Sequence, residues 1–351
     1  MNKIIIILFL FVASTKMLGQ LGGSSTFSFL ELTNSARLAA LGGKNITIPD
    51  IDLSFVHDNP ALLDTSMSDH LVLNYVNYFA GINYGYVSYA RKFNKAGMFA
   101  SGLNYINYGT FIKADHTGQI TGQYSAFELA LNLFWSKVLI DSALSVGVNL
   151  KPIYSQLEAY NSFGLAVDAG LTYYGKKGLS AALVIRNLGS QIKPYTRGNY
   201  ENIPLNIQLG LTQKLEHAPF RFSVLYQHLN KWDLKYDKNG NPSYSSGDQN
   251  SDFSDDKPIT LIDNFFRHFI FGAEFLPAKG FNVLLGYNHQ RRKEMMIPTR
   301  PFLVGFSWGI YIRISKIKLS YSQAFYHLAG ASNHFSLNLN MADFYKKKSS
   351  K

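Results

Sequence analysis

The sequence predicts an all-β transmembrane barrel of about 14 antiparallel strands, and three observations carry that prediction. Apolar residues recur at every second position from residue 70 onward. Many of these runs reach the roughly nine to eleven residues that a tilted strand needs to cross a bilayer. The intervals between the runs are short and long in turn.

The alternation is regular. Leu144, Val146, Val148 and Leu150 alternate with Ser145, Gly147, Asn149 and Lys151. Leu205, Ile207, Leu209 and Leu211 alternate with Asn206, Gln208, Gly210 and Thr212. Phe302, Val304, Phe306, Trp308, Ile310, Ile312 and Ile314 extend the pattern over a longer stretch. A period of two gives a strand one apolar face, whereas a helix needs apolar residues three and four apart. In a membrane barrel the apolar set meets lipid and the Gly, Ser, Asn and Thr set lines the interior. A soluble sandwich also alternates, but its strands centre on about five or six residues.

The predicted strands are 71–78, 82–91, 98–107, 124–136, 143–154, 163–174, 178–187, 205–214, 219–229, 267–275, 281–290, 302–314, 317–326 and 334–341. Connections after even-numbered strands, such as 137–142, 175–177 and 315–316, are short. Those after odd-numbered strands are longer: 108–123, 155–162, 188–204, 230–266, 291–301 and 327–333. Only the first, around 79–81, breaks this order. Short turns inside and long loops outside mark an outer-membrane barrel, and they predict that both termini are periplasmic.

Composition agrees. The chain has 351 residues, 46% hydrophobic and 16% charged, with a mean hydropathy of -0.05. That is too polar for a bundle of membrane helices and ordinary for strands facing lipid on one side only. The 22 Tyr and 26 Phe suit aromatic girdles at two membrane interfaces. Residues 1–20 read as a signal peptide, with Lys3, the apolar run Ile4 to Ala13 and the small Gly19 before the cut. There is no cysteine, which excludes disulfides, thiolate metal sites, cysteine catalysis and a lipidated cysteine. Net charge is +11. Its dense clusters are Arg291 to Lys293 and the basic tail 346–351, with no stripe of interleaved aromatics, so nucleic acid is not an expected partner. The excess is read as facing the lumen and the anionic headgroups of outer-membrane lipid and lipopolysaccharide.

Residues 21–69 do not alternate, and they precede a barrel domain over 70–345. Ser35 to Leu41 reads as a short helix, with Asn34 as its cap and Gly42-Gly43 as its stop. Asn59-Pro60-Ala61 reads as a turn. Phe27, Phe29, Leu30, Leu32 and Leu41 are unsuited to bulk solvent, so the segment is expected inside the barrel as a plug. Ser35, Ala36, Arg37, Gly42, Gly43, Asn59 and Pro60 form its structural motif.

No enzyme is expected. Gly305-Phe306-Ser307-Trp308-Gly309 matches G-x-S-x-G, yet its serine lies within an alternating strand and not on the strand-to-helix elbow that the chemistry needs. Asp237 to Asn241 resembles the start of a calcium loop, but Pro242 stands where glycine belongs and the bidentate Glu is missing. The nine histidines lack H-x-x-x-H and H-E-x-x-H spacing. No catalytic residue, cofactor or metal is therefore assigned. Aromatics with Arg on outer loops are the residue types of interface hot spots. Tyr195, Arg197 and Tyr200, and Trp232, Tyr236, Tyr244 and Phe253, are candidate partner contacts; the alternative is a self-packed roof.

Several segments carry a family resemblance: LGGSSTFSFL (Leu21–Leu30), NSARLAALGGKNI (Asn34–Ile46), DNPALL (Asp58–Leu63), LNYVNYFAGINYGY (Leu73–Tyr86), RNLGSQIKPY (Arg186–Tyr195) and HAPFRFS (His217–Ser223). Over its full length the chain resembles the PorQ family, outer-membrane components of the type IX secretion system of Bacteroidota. The S-A-R and N-P-A elements also occur in PorV-type barrels and, loosely, in FadL-type fatty-acid transporters. The resemblance implies a FadL-like barrel that anchors the surface protein PorZ. That pair would belong to an attachment complex with the sortase PorU and its barrel PorV, which processes secreted cargo and joins it to anionic lipopolysaccharide. A FadL-like transporter of a hydrophobic small molecule is the competing function.

Overall fold

The computed structural model describes residues 25–78, 81–93, 96–140, 143–234, 261–296, 303–327 and 330–345. The strands are β1 (His70–Asn77), β2 (Asn83–Phe93), β3 (Gly97–Ala114), β4 (Ile120–Ile140), β5 (Leu144–Leu157), β6 (Tyr160–Tyr174) and β7 (Leu179–Lys193). They continue as β8 (Asn206–Lys214), β9 (Phe220–Tyr226), β10 (Phe269–Ala278), β11 (Phe281–Asn288), β12 (Phe306–Ile314), β13 (Ile317–His327) and β14 (Gly330–Asn340). Each pairs antiparallel with its neighbour in chain order, and β14 closes on β1 with Asn340 opposite His70. Among the described residues four short α-helices accompany them: α1 (Ala36–Ala40), α2 (Leu261–Arg267), α3 (His289–Met295) and α4 (Ala342–Tyr345). Every predicted strand is present.

The alternation sorts the two faces. On β5, Ser145, Asn149 and Lys151 are buried inside, while Val148 is 41% exposed outside. Leu209, Phe306 and Trp308 also point outward. Val148→Arg is therefore expected to cost about 2–4 kcal/mol by putting a charge into lipid. The loss should appear as a lower temperature at which the compact, heat-modifiable band disappears on denaturing gels. An unchanged temperature would place that face away from lipid.

Several boundaries differ from expectation. The stretch 108–123 is mostly hairpin, because Thr110 to Lys113 pair with Gly122 to Ser125, and Phe111 stacks on Tyr124 at 5.2 Å. β7 runs on to Lys193, so the connection is 194–205. β9 stops at Tyr226, and the long connection after it ends in α2. Residues 289–290 and the start of the next expected loop form α3, capped by Asn288, whose side chain accepts from Arg291 N–H. Val304 is buried and not lipid-facing, because Gly305 at φ 87° turns the chain before β12 begins. The cap of α1 is Ser35, not Asn34: the Ser35 side chain accepts from Leu38 N–H.

The wall is uneven. β3 to β7 have 18, 21, 14, 15 and 15 residues, and β8 to β12 have 9, 7, 10, 8 and 9. One side stands tall at the long-loop end and the other is low. A steep step falls between β7 and β8, where pairing ends at Arg186 opposite Asn206.

Candidate functional site

The site is the lumen and the segment within it. The segment is bonded to inward-facing side chains around the wall. Ala36 N–H donates to Ser336 Oγ of β14 (2.9 Å), and Gly42 N–H donates to Ser307 Oγ of β12 (3.1 Å). Asn59 Nδ2 donates to Thr172 Oγ1 of β6 (2.8 Å) and to Ile46 O (2.7 Å). Ser145 of β5 and Ser180 of β7 donate to Ala61 O and Thr47 O, each at 2.8 Å. Inward glycines mark the closest approaches. A Cβ on Gly147 would overlap the Pro60–Ala61 backbone, and one on Gly286 would overlap Ala40 to Gly42.

The seven motif residues all have places in this arrangement. Ser35 caps α1, Ala36 and Gly42 bond the wall, and Arg37 is buried among carboxylates. Gly42 and Gly43 end the helix at φ 92° and 112°. Asn59 caps a single 3-10 turn that begins at Pro60.

Three ionic groups tie segment to wall. Arg37 reaches Asp50 (2.6 Å), Asp52 (3.2 Å) and Glu274 of β10 (3.0 Å), beneath the rings of Phe55 and Tyr311. Arg221 of β9 bonds the same Asp50 (2.8 Å) and also Glu274. Arg186 of β7 pairs with Asp58 (3.0 Å) and donates to Leu30 O. Glu31 pairs with Lys44 and accepts from Asn187 and Asn206. Beside these, Lys151 of β5 pairs with Asp168 of β6 at 2.7 Å. Burying charges in this way is tolerable only because each has a partner. Apart from Arg37, the motif omitted these ionic residues. Their signal in the sequence was an ionisable side chain on the small-residue face of an alternating strand, as at Lys151, Asp168, Arg186, Arg221 and Glu274. Ser307 is fully engaged: it accepts from Gly42 N–H and donates to Ala40 O (3.0 Å).

The described chain starts at the long-loop end, where Thr26 N–H donates to Asn202 O, whereas α4 lies at the short-turn end. Residues 26–67 thus run down through the lumen before β1 begins, and the two termini of the chain, expected on one side, lie outside the described residues.

The rim residues divide. Tyr195 turns inward: its OH donates to Ser155 Oγ (2.5 Å) and its ring lies 6.4 Å from Phe27. It is only partly buried there. Arg197 and Tyr200 are exposed. Trp232 is exposed too, with its ring stacked on His268 at 5.7 Å. Tyr236, Tyr244 and Phe253, like the expected signal peptide and the basic tail, lie outside the described residues. Beside Trp232, Asp263 of α2 gathers Arg267 (3.1 Å) with His289 (3.2 Å) and Lys293 (2.9 Å) of α3. Burial pushes the Asp263 carboxyl up, but hydrogen bonds from Lys293, His289 and Arg267 outweigh it and hold it at about 2. A depressed carboxylate stabilises the fold above its ordinary pKa of 3.8, and that stability is lost as pH falls through about 2. Protection of the α2 amides, relative to their intrinsic exchange rate at each pH, is thus expected to fall between about pH 4 and pH 2 ahead of the barrel strands. A simultaneous fall in both would remove the special role of this carboxylate.

No protein-family model matches the chain, and no curated protein matches it. Among solved structures, it is similar to a deletion mutant of the TodX monoaromatic hydrocarbon channel, at TM-score 0.50 and 12% identity, over 87% of this chain and 96% of that one. A second TodX mutant gives TM-score 0.48 at 13% identity, over 88% and 97%. A Pseudomonas aeruginosa FadL homologue gives 0.45 at 10% identity, over 90% and 99%. Both TodX structures are channels by name; what the chain shares with the first of them is the fold, a closed, FadL-like antiparallel β-barrel of 14 strands with short N-terminal helical segments.

Proposed function

We propose that this protein is a PorQ-like anchor in the outer membrane that retains a PorZ-like surface partner at its long-loop rim. The observation that supports the reading is the bonded lumen. The segment 26–67 is tied to the wall by paired charges and by backbone hydrogen bonds, an arrangement suited to a rigid pedestal. The full-length resemblance, carried by segments between Leu21 and Ser223, supplies the partner, and through it a PorU–PorV attachment complex.

A second reading has its own support. The barrel fold is shared with a monoaromatic hydrocarbon channel, and on that ground the comparisons favour a FadL-like transporter of a hydrophobic small molecule. One experiment separates the two. Cells carrying the barrel with residues 238–256 removed are compared with wild type for surface proteins released into the medium. Purified wild-type barrel in liposomes is tested for toluene uptake. The anchor reading expects release and no uptake. Uptake with every surface protein retained replaces it with the transporter.

A further inference from the structure

The stretch 186–195, part of the family resemblance, contains unusual backbone for a closed barrel. β7 pairs with β6 up to Lys193, opposite Phe163. On its other side the ladder stops at Arg186. Asn187, at φ 58°, forms a bulge that turns both Arg186 and Asn187 inward, and its N–H donates to Asp168 Oδ1 (2.7 Å) instead of to a strand. Beyond it, among the described residues, no backbone hydrogen bond joins 188–193 to β8 or to 194–205. Barrels close in order to remove such edges.

The inner side of this edge is backed. Ile203 packs in the cluster of Phe27, Glu201 N–H donates to Gln191 Oε1 (2.8 Å), and Tyr195 bonds Ser155, so the connection returns through the lumen. The outer side is open, with Leu188 58% and Ile192 54% exposed. At about 3.3 Å per residue and about 40° tilt, 188–193 lies roughly 23–35 Å above Leu179. That is at and beyond the top of an apolar band about 25 Å tall, so acyl chains do not cover it.

We propose that 188–193 is a docking edge for an extended segment of the surface partner, which adds to β7 as a further strand. An extended polypeptide supplies donors and acceptors at the spacing this edge presents. Leu188 and Ile192 pack alternate side chains of the incoming strand, and exposed Lys193 and Arg197 favour an acidic residue at its upper end. The proposal rests on the anchor reading and deepens it.

The test is residue-resolved amide exchange on the barrel in lipid nanodiscs, alone and in complex with the surface protein that co-purifies from native membranes. The expected result is that alternate amides within 188–193 exchange freely in the barrel alone and slow at least roughly tenfold in the complex. Alternation is the signature of a ladder; uniform slowing would mean side-chain contact only and overturns the proposal. A bound partner with unchanged exchange at 188–193 also overturns it while leaving the anchor reading intact. Protection already present in the barrel alone assigns the edge to lipid or to a second copy and overturns it as well. Failure of any partner to co-purify removes the anchor reading and this inference together.

Discussion

Arg37→Ala is expected to detach the lumen segment from the wall while leaving the barrel closed. Arg37 is the shared partner of Asp50, Asp52 and Glu274; it is buried with the last two, and Asp50 is partly exposed. Removing one side of a buried ion pair costs about 3–5 kcal/mol, because the remaining charges stay behind without compensation. Arg221 still holds Asp50 and Glu274, so β9 and β10 keep their junction and the damage falls on the segment. Limited trypsin digestion reads this directly: Lys44, protected in the wild type, becomes a cleavage site, and the heat-modifiable band persists. Arg37→Lys supplies one compact ammonium where a fork served three carboxylates, and it restores protection only in part. Continued protection of Lys44 in Arg37→Ala would mean that the remaining ties, Arg221 to Asp50, Arg186 to Asp58 and the neutral bonds of Ala36, Gly42 and Asn59, hold the segment without it.

Gly286→Val is expected to expel α1 from its seat. Gly286 sits on the inward face of β11, where any Cβ meets Gly42 N and the Leu41 carbonyl carbon. Backbone on both sides cannot yield as a flexible side chain would. Overpacking costs about 1–3 kcal/mol where side chains can shift, and this position exceeds that range. Displacing α1 also breaks the Ser307 and Ser336 bonds to the segment. In planar bilayers the variant should show ion conductance steps much larger than the wild type, since a 14-stranded wall encloses more space than its own side chains fill. Equal conductance in the two would show that α1 is not what fills that part of the lumen. Gly85, whose φ is not positive and where a Cβ meets only Asn74 O at 3.8 Å, is the control position.

The wall was legible because a strand with lipid on one side has to alternate, and Val146 to Leu150 or Leu209 and Leu211 state that alternation residue by residue. Strand ends were less so. The extension of β3 to Ala114 lies beyond the lipid, where Thr110 to Lys113 need no apolar face and so give no period. The segment was legible as something to be buried, from Phe27, Leu30 and Leu41, but not in its bonding. Arg37 is an ordinary residue in a short helix until Glu274, 237 positions away, comes beside it. Periodicity reports which face a residue occupies and is silent about what stands opposite. Asn34 was a reasonable cap by type, and Ser35 won because its extended φ and ψ aim the hydroxyl at Leu38 N–H.

The bonds from the segment to β12 and β14 have a consequence for how the molecule is made. Ala36 and Ser336 are separated by 300 residues, and Asp52 and Asn338 by 286. The part of the chain synthesised first therefore finds its final partners among the strands synthesised last. Contacts of such separation are slow to form, because the loop between them has to be closed before they contribute. Closing the seam between β1 and β14 and seating the segment are thus a single late event. During refolding, protection of Lys44 and appearance of the heat-modifiable band are expected to rise with one rate constant. Whatever machinery inserts this barrel has to hold the seam open until the earliest residues of the chain are in position.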